Sequence, residues 1–253
     1  MENEISKWSR IWLLLSPVFA LAILSLYITV TGSAQLDANP DIAAWWSFEE
    51  GSGNTTDDIS QNINTGTLKP DCSTSNCPTW VTGKKSNGMQ FDGVDEYIDI
   101  LPSSSLDLVS KISIETWVNH TVSASQFIVS KRISGSDDAY ELATCTSPVG
   151  EACFAVFIGN VRKFVESDEA LSLNTWHHIV GTYDSINLKI YVDGVLKNTV
   201  PQTGNIDTTT DPVRIGWGYD NSYAWKGVID NVRIWNRALT ADEVASLYAK
   251  GGG

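Results

Sequence analysis

From residue 41 to residue 235 the chain is cut into short segments of alternating or wholly apolar residues, each bounded by Gly, Asp, Asn, Ser or Pro. IAAWWSF, GMQFDG, EYIDI, ISIETWVN, QFIVSKR, AYELAT, CFAVFIG, RKFVES, WHHIVGTYD, LKIYVDG, VLKNTV, VRIGWG and GVIDNVRIW succeed one another without a long helical period between them. A chain divided this way predicts about a dozen strands at the spacing of a two-sheet antiparallel sandwich. The sharpest local signal is YVDGVLK, where Asp193-Gly194 between two alternating runs predicts a two-residue hairpin turn with positive φ. Asp92-Gly93 in FDGVDEY is read as a second hairpin turn. One helix closes the pattern: in ALTADEVASLYAKGGG, Thr240 and Glu243 make a capping box, Val244, Leu247 and Tyr248 an apolar stripe, and Gly251 a stop. Such a helix is expected to cover a sheet edge.

Before the strands lies IWLLLSPVFALAILSLYITV, an apolar run from Ile11 to Val30 preceded by Lys7 and Arg10. Positive charge ahead of an apolar segment directs the downstream chain across a membrane. Residues 1–34 therefore read as a signal peptide cleaved after Ala34, or as an N-terminal membrane anchor, and residues 35–253 as one exported domain. Four cysteines fit that compartment. Cys72 and Cys77 bracket one short loop and Cys145 and Cys153 another, so two local disulfides are expected; zinc is disfavoured because the paired CxxC spacing is absent.

The formal net charge is −13, and it is unchanged without the first 34 residues, because Lys7 and Arg10 offset Glu2 and Glu4. No basic stripe interleaved with aromatics appears, which argues against nucleic acid. His177 and His178 are adjacent. In a strand they point to opposite faces, so they do not serve one metal; one is expected on the core side with a hydrogen bond and one on the solvent side. No serine or cysteine is placed by spacing alone as an evident nucleophile.

The order AAWWSFEEGSGNTTDDIS, GTL, GMQFDGVDEYIDI, ISIETWVN, NTWHHIVGTYDSINLKIYVDG, IGWG and GVIDNVRIWNRALTADEVASLY resembles the laminin-G-like, concanavalin A-like jelly-roll domains of exported proteins, over residues 42–248. The resemblance implies an all-β jelly roll of two antiparallel sheets of about six or seven strands. It also implies a structural Ca²⁺ held by an aspartate of the last strand and by early loops. Alternation puts Val228, Asp230, Val232 and Ile234 on one face, making Asp230 a buried carboxylate in need of a cation or of N–H donors. Asp92, Asp95 and Asp58, with its neighbour Asp57, are the companion ligand candidates, each also readable as a turn aspartate bonded to its own backbone.

GWGYDNSYAWKG gathers Trp217, Tyr219, Asp220, Asn221 and Tyr223, an aromatic and polar mixture suited to stacking on sugar rings and reading hydroxyls; Trp225 in the same stretch is expected in the core. The paired-carboxylate E-x-D-x-E strand of glycan hydrolases is absent. The sequence therefore points to a non-catalytic extracellular binding or adhesion module, for glycan or for a cell-surface protein. The alternative is a filament subunit assembled through the N-terminal helix.

Overall fold

A computed structural model describes residues 39–251 except 71, 74–75, 133–137, 147–148 and 219–222. The chain divides into residues 1–35 and 36–253, so the apolar run that carries the cleavage, anchor and filament expectations lies outside the described residues. No helix among the described residues is long and apolar enough to cross a membrane.

The strands are β1 (Ile42–Trp46), β2 (Thr55–Thr56), β3 (Gly66–Lys69), β4 (Thr79–Thr82), β5 (Asn87–Asp92), β6 (Tyr97–Ile100), β7 (Ile112–His120) and β8 (Gln126–Lys131). They continue with β9 (Tyr140–Thr146), β10 (Val149–Ile158), β11 (Val161–Ala170), β12 (His177–Tyr183), β13 (Asn187–Val192), β14 (Val195–Pro201), β15 (Val213–Ile215) and β16 (Lys226–Trp235). Helix α1 (Ala241–Lys250) comes last. One sheet, A, runs β14-β13-β12-β7-β16-β5-β4, with β1 also on β16; the other, B, runs β11-β10-β9-β8-β15-β6-β3-β2. All pairings are antiparallel, so the expected two-sheet sandwich is present, with eight strands in each sheet rather than six or seven.

Alternation builds the core. Ile112, Ile114 and Val118 of β7 and Ile179 and Tyr183 of β12 face Phe154 and Val156 of β10 and Leu142 of β9 in a single large cluster. The sheets meet closely at Gly181, where a Cβ would come within 2.2 Å of the Phe154 ring. That contact explains a glycine in the middle of a strand. Trp46 and Trp225 are fully buried, as is Trp117 to within 2%.

Two local readings need correction. Asp92-Gly93 is not a hairpin turn: β5 belongs to sheet A and β6 to sheet B, so this turn carries the chain across the sandwich. Nor does β16 alternate throughout. Asn231 has φ 53°, and the register with β7 shifts between Asp230 and Arg233. Such a bulge reverses the faces. Ile229, Val232 and Ile234 enter the core, while Asp230, Arg233 and Trp235 turn outward.

Asp193-Gly194 forms the expected turn, with φ of 51° and 78°. In α1, Thr240 accepts the Glu243 N–H, Glu243 accepts the Thr240 N–H, and Gly251 ends the helix in the left-handed region. The helix does more than protect an edge. Val244 packs with Val180, Tyr191, Trp235 and Leu239 on the outer face of sheet A, and Tyr248 stacks on Trp117 at 5.6 Å.

Candidate ligand-binding site

The outer face of sheet A, beneath α1, holds a buried ionic cluster. Glu115 of β7 is 1% exposed and accepts Arg233 Nη1 at 2.9 Å and Trp235 Nε1 at 3.2 Å, with His178 Nε2 at 3.3 Å. The Arg233 guanidinium lies 4.0 Å from the Trp45 ring. Burial pushes the Glu115 carboxyl up, but its bonds to His178 and Trp235 and the Arg233 charge outweigh this and hold it below the usual range.

The expected split into a core-side and a solvent-side histidine holds only in direction: His178 points outward from the sheet but is fully buried, against Trp117 and against Tyr248 of α1. His177 points the other way, as alternation requires. Its Nδ1 lies 2.8 Å from Asp193 Oδ2 and its Nε2 2.8 Å from Ser172 Oγ. Spacing alone did not reveal this Ser-His-Asp chain. The Ser172 backbone N–H also donates to the same Nε2 at 3.2 Å, so the imidazole closes the turn that leads into β12.

The outer face of sheet B is open. Phe164 of β11, Ala155 of β10, Glu141 of β9, Ser130 of β8 and Arg214 of β15 are successive partners in one register row, so their side chains share a face. On this face lies a cleft of about 320 Å³ lined by Phe127, Arg132, Glu141, Arg162, Phe164, Glu166 and Tyr223. Glu141, 1% exposed, sits on its floor between two guanidiniums, accepting Arg132 Nη1 at 2.9 Å and Arg162 Nε at 2.5 Å. Asp138 lies 2.8 Å from Arg132 Nε. The Arg162 guanidinium rests 4.6 Å from the Phe164 ring, and Arg132 lies 5.2 Å from Phe157. Both expected disulfides are formed, and Cys145–Cys153 lies at this cleft, with Arg162 Nη2 3.1 Å from Cys153 Sγ.

One wall comes from the aromatic loop between β15 and β16. Ser130 Oγ donates to the Trp217 carbonyl at 2.8 Å, and Gly218 lies so close to Phe127 that a Cβ would be 2.2 Å from its ring. Only glycine lets the backbone lie down on the sheet there. Tyr223 meets Phe127 edge-on at 5.8 Å and lines the cleft. Trp217 instead stacks on Tyr97 at 4.9 Å, with Arg214 4.4 Å from its ring. Tyr219, Asp220 and Asn221 lie outside the described residues. Sequence reasoning missed Arg132, Glu141, Arg162, Phe164 and Glu166. The available signal was alternation in AYELAT and RKFVES, which sets charged side chains opposite the core residues Leu142 and Val165.

The four metal candidates do not converge. Asp58 Oδ1 accepts the Trp45 and Ser60 N–H groups, both at 2.9 Å, and Oδ2 accepts the Asn64 N–H at 2.8 Å and Asn64 Nδ2 at 3.0 Å. Asp92 closes its own turn through the Val94 N–H at 2.8 Å, and Asp95 faces Asn76 Nδ2 at 3.4 Å. Asp57 is exposed. Asp230, on the far side of the β16 bulge, accepts the Lys85 N–H at 3.0 Å and Asn231 Nδ2 at 3.2 Å. Burial pushes its pKa up to about 6 against these donors. The Asp58 carboxylate thus takes four N–H donors, and that of Asp230 at least two. Among the described residues, the one convergent group of three potential ligands is Cys145, Cys153 and Glu166, and its two sulfurs are bonded to each other.

Two antiparallel sheets stacked face to face, an open cleft on one and a helix across the other, define a jelly-roll sandwich. Residues 92–245, more than half of the chain, match the Laminin_G_3 family model, the concanavalin A-like lectin/glucanases superfamily, and the chain belongs to that family. It is 28% identical over 100 residues to the pentraxin-related protein PTX3 of Mus musculus, an alignment covering 34% of this chain and 26% of that protein. Among solved structures, the binding domain of Paraclostridial Mosquitocidal Protein 1 superposes with a TM-score of 0.65 at 16% identity, over 83% of this chain and 52% of that one. Domain 4 of AbnA, an extracellular arabinanase from Geobacillus stearothermophilus, in complex with arabinotriose, gives 0.63 at 17% identity, over 82% of this chain and 98% of that one. The botulinum neurotoxin serotype D ligand binding domain, in complex with N-acetylneuraminic acid, gives 0.64 at 14% identity, over 86% of this chain and 53% of that one. The chain spans about half the length of the two toxin domains.

Proposed function

We propose that this chain is an exported, non-catalytic binding module that takes a glycan into the cleft on the outer face of sheet B. The observation that carries the reading is the makeup of that cleft. Phe164, 44% exposed, and Tyr223 offer aromatic faces for the apolar side of a sugar ring, beside guanidinium donors and carboxylate acceptors for its hydroxyls. Arabinotriose and N-acetylneuraminic acid bound to two similar folds support a sugar as ligand. A non-catalytic role is supported by the binding domains among the similar structures. Two disulfides and the apolar run near the N-terminus support export.

Glycan-array screening of the full-length protein tests the reading, with Arg162→Ala as the cleft variant. Binding lost in a still-folded Arg162→Ala supports it. Binding only to a cell-surface protein, the ligand class seen in botulinum neurotoxin DC in complex with rat synaptotagmin II, or glycan binding indifferent to Arg162, sinks it.

A further inference from the structure

The two guanidiniums in the cleft are already matched by acids: Arg132 by Asp138 and Glu141, and Arg162 by Glu141. Glu166 is different. It lines the same cleft from β11, and among the described residues no lysine or arginine pairs with its carboxylate. Its carboxylate lies within 4.8 Å of the Cys145 and Cys153 sulfurs, and Arg162, whose Nη2 is 3.1 Å from Cys153 Sγ, is nearby but makes its ion pair with Glu141. Glu151, at the start of β10, has its carboxyl pushed up by burial and then by the like charges of Glu166 and Asp168. Among the charged side chains that line the cleft, Glu166 is thus the one without an ion-pair partner among the described residues, on a chain whose net charge is −13.

We infer that the cleft discriminates against carboxylated glycans and that Glu166 sets this selectivity, an inference that rests on the glycan reading above. An ionised carboxylate accepts hydrogen bonds from two neighbouring sugar hydroxyls, and such charge-assisted bonds are about twice as strong as neutral ones. The same group repels a sugar that carries its own carboxylate. At contact range near a protein surface that repulsion is worth on the order of tenfold in affinity or more. Arg162, held over Phe164 and tied to Glu141, is left to donate to ring and hydroxyl oxygens rather than to neutralise an acid. Glu166 and Phe164 stand two residues apart on β11, so both present to the same face, one as acceptor and one as stacking platform.

The test uses the full-length protein and pairs of oligosaccharides that differ only in a carboxylated sugar, uronate or sialic acid, with an amine-bearing analogue as a third probe. Calorimetric titration is expected to give binding of the neutral member and at least about tenfold weaker binding of the carboxylated one. Glu166→Gln keeps the size and removes the charge. It is expected to weaken neutral binding by roughly tenfold and to bring the pair within about threefold of each other. Equal or tighter wild-type binding of the carboxylated member overturns the inference, as does an amine-bearing analogue bound no better than the carboxylated one, or an unchanged ratio in a Glu166→Gln protein with wild-type melting. The wild-type ratio decides the matter even where the variant does not fold. Wild-type protein that binds no glycan of any charge removes the underlying glycan reading instead.

Discussion

The outer faces of the two sheets carry the same chemistry with opposite access. On sheet A, Glu115 lies between Arg233 and His178, with Arg233 stacked on Trp45; on sheet B, Glu141 lies between Arg132 and Arg162, with Arg162 stacked on Phe164. Both carboxylates are 1% exposed. What differs is the cover. On sheet A, where α1 packs, the side chains of Glu115, Arg233 and His178 are at most 5% exposed, whereas those of Arg132 and Arg162 remain 17% and 31% exposed. An ion cluster beneath a helix holds structure together, and one at the floor of an open cleft is available to a ligand.

The largest expected effect tests the sealed side. Glu115→Ala leaves Arg233 and His178 buried without their acceptor and should cost about 3–5 kcal/mol in urea unfolding. Glu141→Ala should cost visibly less, because both of its partners reach water. Equal losses would break the contrast between the faces.

Asp230, also on the outer side of sheet A, gives a pH-dependent test. Its folded pKa of about 6 lies above the ordinary 3.8, so the folded state holds a proton that the unfolded state has released between these values. Its contribution to stability therefore falls as pH rises from about 4 to about 6. Across that window the stability of Asp230→Asn relative to wild type should improve by up to about 3 kcal/mol. Calcium would reverse this sign. A melting temperature raised by millimolar Ca²⁺ in wild type, and not in Asp230→Asn, would restore the metal expectation against the hydrogen-bonded geometry.

On the open side the effects move from stability to binding. Phe164→Ala removes a largely exposed ring, so melting should change little while glycan affinity falls by about tenfold. Loss of stability without loss of affinity would make Phe164 an ordinary edge-strand residue. The smallest effect is expected at Ser172. Ser172→Ala should lie within about 0.5 kcal/mol of wild type, and a fluorophosphonate probe should leave no adduct on the native protein. A Ser172 adduct that requires His177 would mean that the turn hides a nucleophile, and the non-catalytic reading would fail.

Features set by neighbours in sequence were legible before the structure. The Asp193-Gly194 turn, the Thr240 capping box, the two short-range disulfides and the succession of strand segments all depend on residues a few positions apart. The failures are of another kind. Alternation was carried through β16 as though unbroken, but the single residue Asn231 reverses it, which moves Asp230 away from the core valines once expected beside it. Gly93 has positive φ whether its turn closes a hairpin or crosses between sheets, so FDG alone does not distinguish the two. The cleft needs Phe127, Glu141, Arg162 and Tyr223 from three strands and a loop, and only strand order brings them together. Of the aromatic loop singled out from sequence, Tyr223 reaches that cleft, while Trp217 is engaged by Tyr97 and Arg214.

The pairing of β1 with β16 has a mechanical consequence. Ile42 lies opposite Trp235, and the Asn236 N–H donates to the Asp41 carbonyl at 2.9 Å, so the point where the chain enters the sandwich is laced to the strand with which it leaves. A pull on the chain ahead of Asn39 is opposed first by this ladder, which must open before the load reaches the rest of the sandwich.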